Sequence, residues 1–271
     1  MTADWAWGLD WISRPGKPSL ALAYQRSDKH EVVTAYNADG SLLWTWQPPG
    51  DTGSRTTLFS AEGAVGVALG VGGDAGIVAL DLDGHPMWTL EKRYVVYDVQ
   101  SHPALPGLLL EIGGDAVLWA RAAGHETPRI VLGAVEERAR FYAGTYITSA
   151  RLFPDVDGRP AIVVAGSSIG ASPVLVRVDG TGKEVWRATL PSKVEDLEMI
   201  EPTGLPRLFL IGTATGELLV VGDDGTLYAR EALGLKLNDA GQLRADEWAV
   251  LLQGGDNMET RRLRVEMLPA R

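Results

Sequence analysis

Val174-Leu175-Val176-Arg177-Val178-Asp179-Gly180-Thr181-Gly182-Lys183-Glu184-Val185-Trp186-Arg187-Ala188-Thr189-Leu190 reads as strand, turn and strand. The first arm is rich in valine and leucine, which suit a pleated, half-buried surface. Asp179-Gly180-Thr181-Gly182 supplies the residues that a tight turn demands, and Trp186 follows the last turn glycine by four places. Two other stretches repeat this spacing: Asn37-Ala38-Asp39-Gly40-Ser41-Leu42-Leu43-Trp44 and Asp81-Leu82-Asp83-Gly84-His85-Pro86-Met87-Trp88. Their tryptophans lie 44 residues apart, a period that implies a radial or stacked array of similar units.

A second register comes from short apolar runs beginning near Leu20, Val65, Leu108, Ala161, Leu208 and Ala249. Runs that are apolar on both faces suit inner strands packed between neighbouring sheets. With a strand before each run and a strand, turn and outer arm after it, each unit has four strands. The units span about 7–47, 56–92, 94–132, 144–191 and 192–232, and a sixth, ending near 268, lacks its outer arm. The expectation is an all-β fold, a six-bladed β-propeller of four-stranded blades forming one domain over 1–271. Asp4-Trp5-Ala6-Trp7 is a spare alternating stretch, so the N-terminal strand is expected to close the ring as the outer strand of the sixth blade. In units three and five the docking aromatic is replaced: Pro128 falls near its place in one, and Tyr228, one residue early, stands in for it in the other. Residues 133–144 form the longest interruption, a projecting loop or helical turn.

The Trp44, Trp88 and Trp186 copies, with Asp-Gly-Thr-Gly-Lys-Glu-Val-Trp as the fullest version, resemble the tryptophan-docking repeat of the quinoprotein-type (PQQ-like) β-propellers. The resemblance implies the fold. The family holds PQQ-dependent alcohol dehydrogenases, non-enzymatic outer-membrane assembly propellers, and sensor or scaffold domains. The dehydrogenases' adjacent cysteine pair cannot exist in a chain with no cysteine, and their usual eight blades exceed six, so PQQ is not expected. Bacterial arylsulfotransferase propellers share the Asp-Gly-to-Trp turns, but their central histidine has no match here.

The formal charge of −10 disfavours a nucleic-acid backbone or an anionic membrane as partner. No apolar run is long enough to span a membrane, and no signal peptide opens the chain, so a cytoplasmic monomer is expected, or an exported one if the N-terminus has been trimmed. Zero cysteines exclude disulfides and thiolate chemistry.

Two sets of residues are candidates for ligand binding. Asp10, Asp98, Asp196 and Asp239 precede inner apolar runs by 10 to 12 residues, with Thr148 as the polar equivalent in unit four. On first strands they would form an acidic ring at one mouth of the axial channel, able to hold a cation or an amine, calcium included. A water-filled channel also accommodates polar residues with no ligand. The second set is Asp74, Asp115 and Asp256, each closing a Gly-Gly-Asp triplet after an inner strand, so that all three emerge at one face. Glycine with aspartate is equally the chemistry of a plain hairpin turn. Asp155-Val156-Asp157-Gly158-Arg159 and Asp81-Leu82-Asp83-Gly84-His85 open like calcium loops, but neither continues with further oxygen ligands, so both read as Asp-Gly turns. The four histidines, His30, His85, His102 and His125, show no metal-ligand spacing. The expected function is a non-enzymatic binding or scaffolding propeller that recognises a protein or a small neutral or cationic ligand on one rim, without cofactor. The alternative is an enzyme of quinoprotein-like or transferase type with an axial acidic site.

Overall fold

The computed structural model describes residues 5–14, 17–26, 31–49, 52–61, 64–71, 76–90, 96, 98–112, 116–122, 125–131, 145–168, 172–202, 206–244, 247–254 and 257–264. Every regular element among them is a strand, as the two-register reading expects. The strands pair antiparallel in sheets that follow the chain. The first sheet holds β1 (Trp5–Arg14), β2 (Lys17–Arg26), β3 (Glu31–Asn37) and β4 (Leu42–Trp46), and the second β5 (Thr52–Ala61), β6 (Ala64–Val71), β7 (Gly76–Asp81) and β8 (Pro86–Leu90). The third holds β9 (Asp98–Gln100), β10 (Leu108–Ile112), β11 (Ala116–Ala122) and β12 (His125–Val131). The fourth is built from β13 (Thr145–Pro154), β14 (Pro160–Ser168), β15 (Val174–Val178) and β16 (Glu184–Thr189). β17 (Val194–Ile200), β18 (Leu208–Thr213), β19 (Glu217–Gly222) and β20 (Leu227–Ala232) form the fifth. The last has three strands among the described residues: β21 (Lys236–Arg244), β22 (Glu247–Gly254) and β23 (Asn257–Arg264). Contacts group the chain into two compact units, Met1–Leu132 with Leu152–Pro160, and Gly133–Arg151 with Ala161–Arg271.

Middle strands are apolar on both faces because both faces are covered. In the first unit Leu20, Leu22, Val33 and Ala35 of the first sheet pack with Val67, Leu69, Val78 and Leu80 of the second, all buried. In the second unit Leu208, Leu210 and Leu218 pack with Leu237, Trp248, Val250 and Leu252 of the last sheet. Close approach of sheets is set by small residues: a Cβ on Gly70 would lie 2.8 Å from the Val96 carbonyl oxygen, and one on Gly212 would clash with Leu237.

The turn chemistry read from the sequence recurs in five hairpins. The amide of the first turn residue donates to the fifth residue's carbonyl in Asn37–Ser41, Asp81–His85, Asp155–Arg159, Asp179–Lys183 and Gly222–Thr226. The glycine at the fourth place has φ of +82, +86, +75, +87 and +84° in turn, the geometry of a type I turn closed by a bulge. Asp39, Asp81, Asp179 and Asp224 accept amide hydrogens two residues on, at 2.8 to 2.9 Å. At Asp39 the Ser41 hydroxyl, and at Asp224 the Thr226 amide, hold the carboxyl pKa below its ordinary value. Burial pushes Asp81 and Asp179 upward, and the donors of His85 and Thr181 more than reverse it. The two stretches that open like calcium loops are therefore such turns, with Asp81, Asp155 and Asp157 accepting amide hydrogens of their own turns.

The tryptophan four places after the glycine ties one sheet to the next. Trp44 Nε1 donates to the Leu82 carbonyl at 3.0 Å, and Trp186 Nε1 to the Asp223 carbonyl at 2.8 Å. Each indole lies on the glycine two residues further along: a Cβ on Gly84 would stand 2.7 Å from the Trp44 ring, and one on Gly225 would stand 3.0 Å from the Trp186 ring. The turn glycine thus meets two demands, a left-handed backbone and a flat seat for the preceding sheet's tryptophan. Arg177 also donates to the Asp223 carbonyl, and the Asp223 carboxylate lies 3.2 Å from Arg177 Nε and 3.4 Å from Arg207 Nη1, which adds ion pairs to the same joint.

Three expectations need correction. The ring closure assigned to the N-terminal strand is not formed by Trp5 and Ala6, which lie opposite Arg26 and Gln25 in the first sheet. Extending a local hairpin closes a short loop, whereas pairing with the far end of the chain closes a long one. The four-strand pattern holds for five sheets and fails for the last, whose described strands number three. Tyr228 is no substitute plug: Ala229, not Tyr228, stands opposite Val220, and Tyr228 occupies the bulge, 57% exposed, with its ring over Gly222 of its own sheet. Nor does Pro128 hold the tryptophan's place: it pairs with Trp119 on the turn side of the bulge, and Ile130, opposite Leu118, occupies the docking row.

Candidate binding site

Cross-strand register places the predicted residues at two depths. Asp98 lies opposite Ile112, and Asp196 opposite Gly212; each partner is the last residue of its strand to pair with the third strand. Asp10 lies opposite Leu22 and Asp239 opposite Leu251, four and three residues short of that last pairing position. The four aspartates therefore do not occupy one register position within their sheets. Counting from the start of each apolar run misaligns them, because the runs begin at different depths in their strands. Thr148 lies in β13.

Rows drawn through the docking position give the true equivalents. Asp10 shares a row with Leu22, Ala35 and Trp44; Thr57 shares one with Ala68, Ala79 and Trp88. Glu198 shares one with Leu210, Val220 and Ala229. Thr57 and Glu198 link neighbouring sheets. In the first unit the Ser101 amide donates to Thr57 Oγ1 at 3.0 Å, and the two hydroxyls lie 2.9 Å apart. In the second unit Arg151 on β13 donates from Nη2 to Glu198 Oε1 at 2.7 Å and from Nη1 to the Ala150 carbonyl at 2.8 Å, with Asp196 Oδ1 at 4.0 Å. All three side chains are buried, with 9% of Arg151, 11% of Asp196 and 12% of Glu198 exposed. The Arg151 guanidinium is held by a charged hydrogen bond to Glu198, with the Asp196 carboxylate adding an ion pair at longer range.

The sequence reading missed Thr57, Ser101, Arg151 and Glu198. The signal was available in the repeat length itself, since Thr57 and Ser101 are 44 residues apart, and Arg151 and Glu198 are 47 apart. Asp74, Asp115 and Asp256 lie outside the described residues, as do 133–144 and His30. The strands that flank the three Gly-Gly-Asp triplets are β6 and β7, β10 and β11, and β22 and β23, which is the same second-to-third connection each time. His85 and His102 sit in connections at the opposite end of their sheets, and His85 Nδ1 lies 3.1 Å from Asp81 Oδ2 on the surface. Among the described residues no group of three or more histidines and carboxylates is placed to hold a metal, and no helix is long and apolar enough to cross a membrane.

No family model matches the chain, and no curated protein matches it in sequence. Solved structures do resemble it. The β-propeller domain of Cps50 (Swd1) from Myceliophteria thermophila aligns with a TM-score of 0.71 at 14% identity, over 97% of this chain and 88% of that one. BBS1N, solved in complex with ARL6DN, aligns with a TM-score of 0.68 at 12% identity, over 97% and 80%. BamB from Moraxella catarrhalis aligns with a TM-score of 0.56 at 12% identity, over 99% and 92%. At such identities the likeness shows the fold, a β-propeller.

Proposed function

We propose that this chain is a non-enzymatic binding propeller, its six sheets forming the blades, the last of them with three described strands. The end where second strands turn into third strands is its binding rim. The observation that carries this reading is the shared address of its acidic residues. Asp98 and Asp196 lie at that end of the first strands, and the same connection carries Gly-Gly-Asp in three sheets. Aspartates on glycine-rich connections give a ligand both charge and close backbone approach. The partner is a basic segment of a protein, or a small neutral or amine-bearing ligand, and the net charge of −10 would draw such partners in. The likeness to a propeller solved with a bound protein, BBS1N with ARL6DN, supports a partner-binding role.

The test compares two charge-matched variants for binding of a fluorescent oligolysine peptide. Asp74→Asn, Asp115→Asn and Asp256→Asn together neutralise the proposed rim; Asp39→Asn, Asp83→Asn and Asp157→Asn neutralise the opposite turns by the same amount. The first set is expected to weaken binding about tenfold more than the second, beyond the loss that net charge alone imposes. Equal loss in the two variants removes the rim.

A further inference from the structure

The third strand of the last sheet differs from its counterparts. Ile77, Val78, Ala79 and Leu80 of β7, Leu175 and Val176 of β15, and Leu218 and Leu219 of β19 are apolar and buried, each strand lying between two others. β23 carries Met258-Glu259-Thr260-Arg261-Arg262-Leu263 and, among the described residues, pairs only with β22. Met258 is 51% exposed, and Glu259, Thr260 and Arg262 are exposed with it. Leu263 anchors the strand to the core of its unit. Unpaired among the described residues, this edge presents main-chain donors and acceptors to any strand of suitable side-chain pattern.

That pattern is its own. Two copies of an edge strand meeting about a two-fold axis perpendicular to the sheet run antiparallel, and residues an even number apart face each other on the same side. An axis through Thr260 sets Thr260 against Thr260, Glu259 against Arg261 twice over, and Met258 against the aliphatic stem of Arg262. A shift of the axis to Glu259 opposes two glutamates, and a shift to Arg261 or Arg262 opposes two arginines. Like charges directly opposite are destabilising, whereas threonine pairs and opposite charges stabilise. Charge therefore favours the Thr260 register over those centred on Glu259, Arg261 or Arg262, and the two Glu259–Arg261 pairs are made in it alone among these. The monomer already shows that the side chains can meet: Arg261 Nε donates to Glu259 Oε1 at 2.7 Å along the same face of the strand. We propose that β23 is the interface of a two-fold dimer of this chain, formed by antiparallel edge pairing centred on Thr260. The site lies on a sheet edge and is independent of the proposed rim.

The experiment is sedimentation of the full chain from about 1 to about 100 μM at ~150 mM salt, which screens repulsion between two acidic chains. The wild type is expected to dimerise. Arg261→Glu brings two glutamate pairs across the axis and Glu259→Arg brings two arginine pairs, so each variant alone should lose affinity roughly tenfold or more. Mixed together, the two variants restore both opposite-charge pairs and should form a heterodimer, a result that misfolding of either variant could not produce. The swapped variant Glu259→Arg with Arg261→Glu should dimerise as the wild type does. A wild type that stays monomeric throughout, a dimer indifferent to Arg261→Glu, or a mixture that stays monomeric would each overturn the proposal, leaving the edge to another occupant.

Discussion

Gly40 and Gly84 share nearly the same backbone, φ +82 and +86°, and have opposite surroundings. A Cβ on Gly40 meets nothing within 4 Å, whereas one on Gly84 would stand 2.7 Å from the Trp44 indole. The pair separates two reasons for keeping glycine in an Asp-Gly turn. Gly40→Ala should cost about 1–2 kcal/mol, the strain of a left-handed alanine. Gly84→Ala carries that strain and must also move a half-buried ring held by its hydrogen bond to Leu82, so it should cost a further ~1–3 kcal/mol. Urea denaturation of both variants measures the difference. Equal losses would mean that the indole yields freely and that its seat contributes little to stability. The need for glycine at each place was legible in the sequence, because the turn type demands it; the second demand on Gly84 was not, since it comes from a residue 40 positions away.

At the scale of elements, first strands are joined by polar residues where middle strands are joined by apolar ones. Thr57 with Ser101 links β5 to the third sheet, and Arg151 with Glu198 links β13 to β17. A buried ion pair contributes little when compared with a well-packed apolar pair, but removing one partner leaves a charge stranded. Glu198→Leu should therefore destabilise by about 3 kcal/mol, with Asp196 too far from Arg151 at 4.0 Å to take over the hydrogen bond. Adding Arg151→Met to the same chain should recover most of that loss. A thermal or chemical double-mutant cycle reads this directly, and additive losses would show that the two charges do not depend on each other. The strands themselves were legible: apolar runs and Asp-Gly turns locate the sheets from the sequence to within a few residues. Their lateral alignment was not. Register depends on bulges and on how far each run extends beyond its last pair, and this put Asp10 and Asp98 at different depths although both precede a run by ten residues.

For the molecule as a whole, stability is expected to behave as a sum over sheets and the joints between successive sheets, as in other repeat architectures. The docking tryptophans follow this logic. Two joints pair an indole on one outer strand with an Asp-Gly turn on the next sheet. The fifth sheet offers Ala229 in place of the indole, and the last sheet, with three described strands, has no third-to-fourth turn among the described residues to receive one. Among the described residues donor and acceptor are thus missing together, and β20 lies wholly exposed while β16 keeps Trp186 half-buried. Trp44→Phe and Trp186→Phe each delete one hydrogen bond to a carbonyl, at a cost of about 0.5–1.5 kcal/mol apiece. The two joints belong to different compact units and share no partner, so the double variant should lose the sum to within ~0.5 kcal/mol. Trp186→Phe combined with Gly225→Ala perturbs a single joint and should depart from additivity, because once the seat is spoiled the indole hydrogen bond has already weakened. Calorimetry of these variants together with Gly225→Ala alone distinguishes the cases. Coupling between Trp44 and Trp186 above about 1 kcal/mol would mean that strain passes from joint to joint along the chain, and nearest-neighbour terms would no longer describe its stability.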